Sequence, residues 1–378
     1  MAAFFVNGLL FASWAAHIPK VKAHLHIGDG TLGLALLGTP VGSVSAMLLC
    51  GYLLPRVGSR IVVEVSLVGY CLSGPLVGLA GSVPALFAAL LVWGAFQGTL
   101  DVSMNTQAIA VEHQRGRPLM NGFHAWWSIG AFGGAGIGAA AVALRMDLSA
   151  QLLVLGVPAL AVAGLLAFRM LPDTDSHPRP GRSPGVRGGR RFSSAMLLLG
   201  AIALASMLCE GAAADWSSVY VRDSLAGGTS AAGLGYTAFT LAMVVVRIFG
   251  NRLLARFPLH RLLPGLAGAA TVAFGLALVI GTVPLTIVAF FLLGLGLGSV
   301  VPSAFSAAGR LPGLHAGVAV AAVSSLGWVG FVLGPPLIGQ LAGATSLPFA
   351  LGVLPVLTAF ITVACARVSV LRGPAGTA

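Results

Sequence analysis

Apolar runs long enough to cross a bilayer follow one another along nearly the whole chain, and this leaves the fold few choices. Hydrophobic residues make up 57% of the sequence and charged residues 8%, against about 25% charge in soluble domains. Lipid offers no hydrogen bonds to the backbone, so a spanning segment must be a helix or part of a closed barrel. Barrel strands would alternate apolar and polar residues. These runs are continuous and about twenty residues long, the length of a spanning helix. The chain therefore reads as an all-α membrane protein with spans at 1–18, 31–54, 61–80, 84–110, 120–144, 150–169, 194–218, 231–251, 262–281, 284–308, 316–341 and 348–367. The first run lacks the basic region and cleavage site of a secretory signal, so it is read as a retained span.

The second half repeats the first in outline. Asn7-Gly8, Trp14 and Lys20 recur as Glu210-Gly211, Trp216 and Arg222; Gly33 recurs as Gly233, Gly51 as Gly250, and Ser128-Ile129-Gly130 as Ser325-Leu326-Gly327. The offset drifts by only a few residues, as a duplicated half with short insertions would leave it. The expected organisation is a six-helix half at 1–170, a basic linker at 171–193 and a second six-helix half at 194–378. Paired halves in a membrane protein point to transport by alternating access.

Net charge is +11, and its distribution argues for a membrane rather than a nucleic acid. Lys20, Lys22, Arg145 and Arg222 fall on one side of the predicted membrane. Arg56, Arg60, Arg115, Arg117, the cluster from Arg169 to Arg191, Arg252, Arg256, Arg261, Arg310, Arg367 and Arg372 fall on the other. Positive loops stay cytoplasmic, so both termini are expected inside, in the inner membrane of a bacterium. Arg far outnumbers Lys, a usage typical of a GC-rich genome. The linker, with Arg179, Arg182, Arg187, Arg190 and Arg191 among prolines and glycines, is expected to be disordered and held at an anionic leaflet.

Several chemistries find no support. Cys50, Cys71, Cys209 and Cys365 lie within predicted spans and lack metal-ligand spacing, so neither disulfides nor zinc are expected. The glycine strings at Gly130–Gly138 and Gly294–Gly298 follow no strand and end in no Walker Lys-Ser/Thr; close helix packing explains them better than a nucleotide loop. No cofactor, metal or enzymatic cluster is expected.

Function is left to the few polar residues that the spans tolerate. A carboxylate at the bilayer centre costs about 2.5–3.5 kcal/mol on insertion scales, so each is a candidate. Gln97, Asp101 and Asn105 recur at every fourth position beside Met104, a polar stripe on an apolar helix. Glu210 holds the place in the repeat that Asn7 holds in the first span, and the two would face one another near the midplane, where transporters bind their solutes. Asp101 and Glu210 are the expected proton-coupling groups. Asn7, Gln97, Asn105, His124, Trp126 and Trp216 are the expected substrate-binding residues. Asp215, five residues past Glu210, is read as a gate or loop contact. Trp14 and Trp216 sit where interfacial anchors usually do. Asn121, His124 and Ser128 share a helix face, and Arg247 is placed to snorkel to the membrane edge or to meet an anionic solute. Arg60 and Glu64 are spaced for an ion pair.

The loop after the second span reads Gly51-Tyr52-Leu53-Leu54-Pro55-Arg56-Val57-Gly58-Ser59-Arg60. With two six-span halves and a basic linker, it resembles the major facilitator superfamily, whose signature there is Gly-x-x-x-Asp-Arg-x-Gly-Arg-Lys. Gly51, Arg56, Gly58 and Arg60 match the gating motif; Pro55 replaces its acid. Asp101-Val102-Ser103-Met104-Asn105, the run Met120 to Gly130, Cys209-Glu210-Gly211, Asp215-Trp216-Ser217 and Gly334 to Gly339 are similar to the YbjJ-like inner-membrane transporters near the fucose permeases. The resemblance implies the facilitator fold, with spans one, four, seven and ten lining a central cavity, and proton symport of a small polar solute by a monomer. Efflux of amphiphilic compounds by an antiporter is the alternative reading, and a non-transporting membrane sensor a remote one.

Overall fold

The computed structural model describes residues 1–115, 119–167, 170, 194–256, 259–308, 311 and 316–367. They form helices α1 (Ala2–Trp14), α2 (Ile18–His24), α3 (Asp29–Leu36), α4 (Gly38–Val57), α5 (Ser59–Gly78), α6 (Val83–Arg115), α7 (Met120–Ala143), α8 (Leu148–Ala167) and α9 (Ser194–Val219). After these come α10 (Gly228–Ala232), α11 (Leu234–Arg256), α12 (Leu259–Ile280), α13 (Val283–Leu297), α14 (Val300–Ala308), α15 (Ala316–Ala344), α16 (Leu347–Leu351) and α17 (Val353–Arg367). No strand occurs among the described residues. Among the described residues, eleven helical stretches are long and apolar enough to cross a membrane. The expected span at 150–169 corresponds to α8, of which Leu148–Val162 is the described apolar part. The linker at 171–193 lies outside the described residues.

The expected spans 31–54, 231–251, 284–308 and 348–367 are each interrupted once, and two helices change pattern where an expected span ends. A 3-10 turn at Ala15–His17 separates α1 from α2, with Pro19 in the first turn of α2. A π turn at Tyr220–Ser224 ends α9. Proline accounts for the break between α1 and α2, because its ring fixes φ and it offers no N–H, so it is tolerated only at a helix start.

The chain divides into two compact units, Met1–Trp14 with Ala35–Arg191, and Ala15–Leu34 with Phe192–Ala378. In the first, α1 packs on α7, α4 on α6, and α5 on α6 and α8. In the second, α9 packs on α15, α11 on α13, and α12 on α13 and α17. The same pairing scheme built from repeated sequence is the internal duplication in structural form. The segment Ala15–Leu34 belongs to the second unit. There Ser218 Oγ donates to the Ala15 carbonyl at 2.6 Å, Gln340 Nε2 donates to the Gly30 carbonyl at 3.0 Å, and Lys22 Nζ lies 2.7 Å from Asp29 and 2.8 Å from Asp223.

Glycine makes the helix seams. A Cβ on Gly8 would overlap the Trp127 carbonyl, and Cβ atoms on Gly130, Gly134 and Gly138 would overlap the carbonyls of Phe5, Leu9 and Ser13. Gly42 meets Leu91 and Gly94 meets Thr39 between α4 and α6; Gly294 meets Phe239 between α11 and α13, and Gly330 meets Leu204 between α9 and α15. The glycine strings at 130–138 and 294–298 are therefore packing surfaces. On the outside, Leu48, Leu72, Leu79, Val279 and Val356 are exposed, as a surface facing lipid tails requires.

Gly58 ends α4 and starts α5 with φ 90 and ψ 147, a conformation open essentially to glycine. Replacing Gly58 with Ala should destabilise the purified protein by about 1–3 kcal/mol. Gly134→Ala, which drives a methyl into the Leu9 carbonyl, should cost a similar ~1–3 kcal/mol. Thermal unfolding in detergent, compared with Gly136→Ala, where a Cβ meets nothing within 4 Å, checks both.

Candidate functional site

In the first unit the polar stripe of α6 forms as its spacing predicts, and each member is held by a neighbour. Asn105 Nδ2 donates to the Asp101 carbonyl at 2.8 Å and to Asp101 Oδ1 at 3.3 Å. Ser43 Oγ of α4 donates to the Gly94 carbonyl at 2.8 Å and lies 3.3 Å from Gln97 Oε1. Asp101, Asn105 and Gln97 are half-buried while Met104 is buried. Asn7 is buried in α1, where its Oδ1 accepts from Trp127 Nε1 of α7 at 3.1 Å and its backbone carbonyl lies 3.5 Å from the Tyr70 hydroxyl. The glycine seam between α1 and α7 brings these side chains together.

His124 and Trp126 lie on the exposed part of α7. The His124 ring meets Phe4 edge-on at 5.5 Å, and Trp126 meets Phe5 edge-on at 6.2 Å. Ser128 is buried, its Oγ donating to the His124 carbonyl at 3.0 Å; the Asn121 side chain lies outside the described residues.

Two further polar anchors of α6 escaped the sequence reading. Gln107 is buried and its Nε2 donates to Ser59 Oγ, at the start of α5, at 3.0 Å. Glu112 Oε2 accepts from the backbone N–H groups of Leu119 and Met120 at 2.6 and 2.9 Å, so it caps the start of α7, where unpaired N–H groups attract an anion. A lone acid shortly before a predicted helix start was the available signal for Glu112. In the gating motif, Arg56 is exposed in the last turn of α4, Gly58 makes the turn, and Arg60 Nε pairs with Glu64 at 3.1 Å. The side chains of Tyr52 and Pro55 lie outside the described residues, and Gly51 lies within α4.

The second unit solves the same problem with charge. Glu210 of α9 is half-buried, Ser206 Oγ lies 3.5 Å from its Oε1, and Arg247 of α11 sits close enough to attract it electrostatically. Arg247 also interacts electrostatically with Tyr236. Tyr236, Thr240, Met243 and Arg247 fall on one face of α11 at helical spacing, and the first three are buried. Trp14 and Trp216 are buried in their respective units, so neither is an exposed interfacial anchor. Trp216 Nε1 makes no hydrogen bond among the described residues. Among those residues no group of three or more His, Cys, Asp or Glu comes together to hold a metal ion.

Removing Arg247 alone strands the Glu210 carboxylate in a low dielectric. Arg247→Ala should therefore lose about 2 kcal/mol of stability, between the worth of an exposed and a buried pair. Adding Glu210→Gln to it should recover most of that loss. Thermal unfolding of the two single variants and the double variant gives the coupling directly.

The chain matches the Major Facilitator Superfamily over residues 1–317. It is 35% identical over 372 residues to a transporter of Sinorhizobium fredii, y4wD, covering 96% of this chain and 95% of that protein. It is 34% identical over 371 residues to an MFS-type transporter of Yersinia pestis (98% and 94% covered), and 32% identical over 365 residues to the membrane protein MosC of Rhizobium meliloti (97% and 88% covered). Among solved structures, the nucleoside transporter NupG superposes with a TM-score of 0.71 at 12% identity, covering 98% of both chains. A D-xylose-proton symporter superposes with a TM-score of 0.74 at 14% identity, covering 97% and 96%. At such identities the structural likeness speaks for the fold alone. The family match and the sequence relatives, each spanning most of the chain, go further: this multi-pass membrane protein belongs to the Major Facilitator Superfamily of transporters.

Proposed function

We propose that the chain is a proton-coupled secondary transporter of the bacterial inner membrane, moving a small polar solute by alternating access between two six-helix halves, 1–170 and 194–378. The observation that carries this reading is the placement of half-buried carboxylates, Asp101 and Glu210, on helices that cross the membrane, each tied to polar partners of its own unit. Such groups are costly in lipid and are retained where a proton, ion or solute passes. Asp101 and Glu210 load and release the proton. Asn7, Gln97, Asn105, His124, Trp126 and Trp216 are the substrate-binding residues. The loop with Gly51, Arg56, Gly58 and Arg60 works as the gate motif. Both termini and the basic linker are cytoplasmic, and the protein acts as a monomer. The relatives named as transporters support the reading, and so does the finer resemblance to the YbjJ-like proteins near the fucose permeases; the NupG and xylose-symporter folds make nucleosides and sugars the first solutes to try.

The test begins with thermal stability of the purified protein against sugars, nucleosides, amino acids, organic acids and cationic drugs at two pH values. A solute at 100 times its dissociation constant adds about 2.7 kcal/mol to the folded state. A stabilising polar solute is the expected result; hits confined to hydrophobic cations would replace this reading with drug efflux. With the solute in hand, Asp101→Asn and Glu210→Gln should each reduce proton-driven uptake into proteoliposomes at least about tenfold and flatten its pH dependence. Uptake and pH profile unchanged in both variants would sink the coupling assignment.

A further inference from the structure

Helix α9 carries two carboxylates, Glu210 and Asp215, and no cation of its own. Glu210 has Arg247 in its field and Ser206 beside it. Asp215 stands five residues along α9 from Glu210, about 140° around the helix. Among the described residues its carboxylate makes no hydrogen bond or ion pair, and Tyr236 of α11 lies within its electrostatic reach. The Tyr236 hydroxyl likewise makes no hydrogen bond among them, although its ring is buried and stacks near Phe239 at 6.0 Å. The two helices approach closely here, since a Cβ on Gly235 would lie 3.4 Å from that of Ser217.

Among the described residues, no other element packed on α9 sets a cation against Asp215. Helices α13, α14 and α15 carry no charged residue. In α2, Lys22 is committed to Asp29 and Asp223, and Lys20 and His17 have other interactions. In the π turn, Arg222 lies 3.7 Å from Asp223, and in α17 Arg367 stands at the far C-terminal end. A half-buried carboxylate with neither a donor nor a cation is costly, and that cost is lifted when a ligand brings the donors.

Resting on the transport reading above, we propose that Asp215 and Tyr236 form a donor-recognising subsite of the second unit, which takes an ammonium or hydroxyl group of a solute that bears no negative charge. The carboxylate accepts the solute's N–H or O–H bonds and the tyrosine hydroxyl either donates to it or accepts from it. Glu210 differs in having Arg247 in its field and Ser206 beside it. The subsite selects amino sugars, polyols and nucleosides over sugar acids.

The experiment uses the full chain in detergent with four probes: glucosamine, xylose, uridine and glucuronate. At least one of the first three should stabilise the unsubstituted protein, and glucuronate should not. Asp215→Asn should weaken the productive probe at least about tenfold, as expected for losing hydrogen bonds to a charged acceptor, and Tyr236→Phe should weaken it by a smaller factor. Labelling supplies a second readout that does not depend on the probe. The four native cysteines are buried, so in Asp215→Cys a positively charged methanethiosulfonate should modify position 215 at least about tenfold faster than the native thiols. The productive probe should slow that reaction. A probe shift that persists in Asp215→Asn, or a thiol at 215 as slow as the native ones, overturns the subsite while the transporter reading stands. Silence of the unsubstituted protein toward every polar probe overturns both.

Discussion

The close approach of glycine to a neighbouring backbone carbonyl is the interaction on which the rest of this structure depends. In lipid a Leu gains little by leaving the solvent for another helix, so helices associate through packing and interhelical polar contacts. Gly130, Gly134 and Gly138 lay α7 along the carbonyls of Phe5, Leu9 and Ser13. That proximity sets Trp127 against Asn7 and carries His124 and Trp126 to the rings of Phe4 and Phe5. The seam between α4 and α6 acts in the same way for the stripe on α6, because only a close pair of helices lets Ser43 reach both the Gly94 carbonyl and Gln97.

Polar groups held by this scaffold are treated differently in the two units. The first unit satisfies them with hydrogen bonds between neutral partners and one carboxylate, Asp101 with Asn105 and Asn7 with Trp127. The second sets a cation against an anion, Arg247 against Glu210. A hydrogen bond is lost when one helix shifts by an ångström, whereas the attraction between opposite charges falls off more slowly with distance and depends on the protonation of the acid. The duplication therefore kept the packing scheme and let the chemistry diverge: Asn7 and Glu210 hold matching places in the repeat with different partners.

The family relationship fits that division. Solved neighbours at 12% and 14% identity keep the fold across almost the full chain, which is what a scaffold built from helix length and small-residue seams allows. Side chains inside the units are free to change with the solute, so the site has to be argued from its own residues.

Much of this was legible in the chain. Length and continuity of the apolar runs determined the helices, because lipid leaves the backbone no other partner; the repeat pointed to paired halves, and the chain divides into two compact units; fourfold spacing put Gln97, Asp101 and Asn105 on one face; and the glycine strings marked the seams. The interruptions at Leu37, Gly233, Gly298–Ser299 and Gly352 were missed because apolarity does not register a local change of hydrogen-bond pattern. Allocation of Ala15–Leu34 to the second unit was also missed, because it rests on contacts some 200 residues away in sequence, such as Lys22 with Asp223. Arg247 illustrates the limit. By itself it was a cation near a helix end with a side chain long enough to snorkel, and only the packing of α11 against α9 placed it within electrostatic reach of Glu210. Tertiary structure decided the same for Asp215 and Tyr236. Whether a charge in a membrane is compensated depends on which side chains neighbouring helices bring within a few ångströms, and helix periodicity specifies a residue's own face without specifying what stands opposite it.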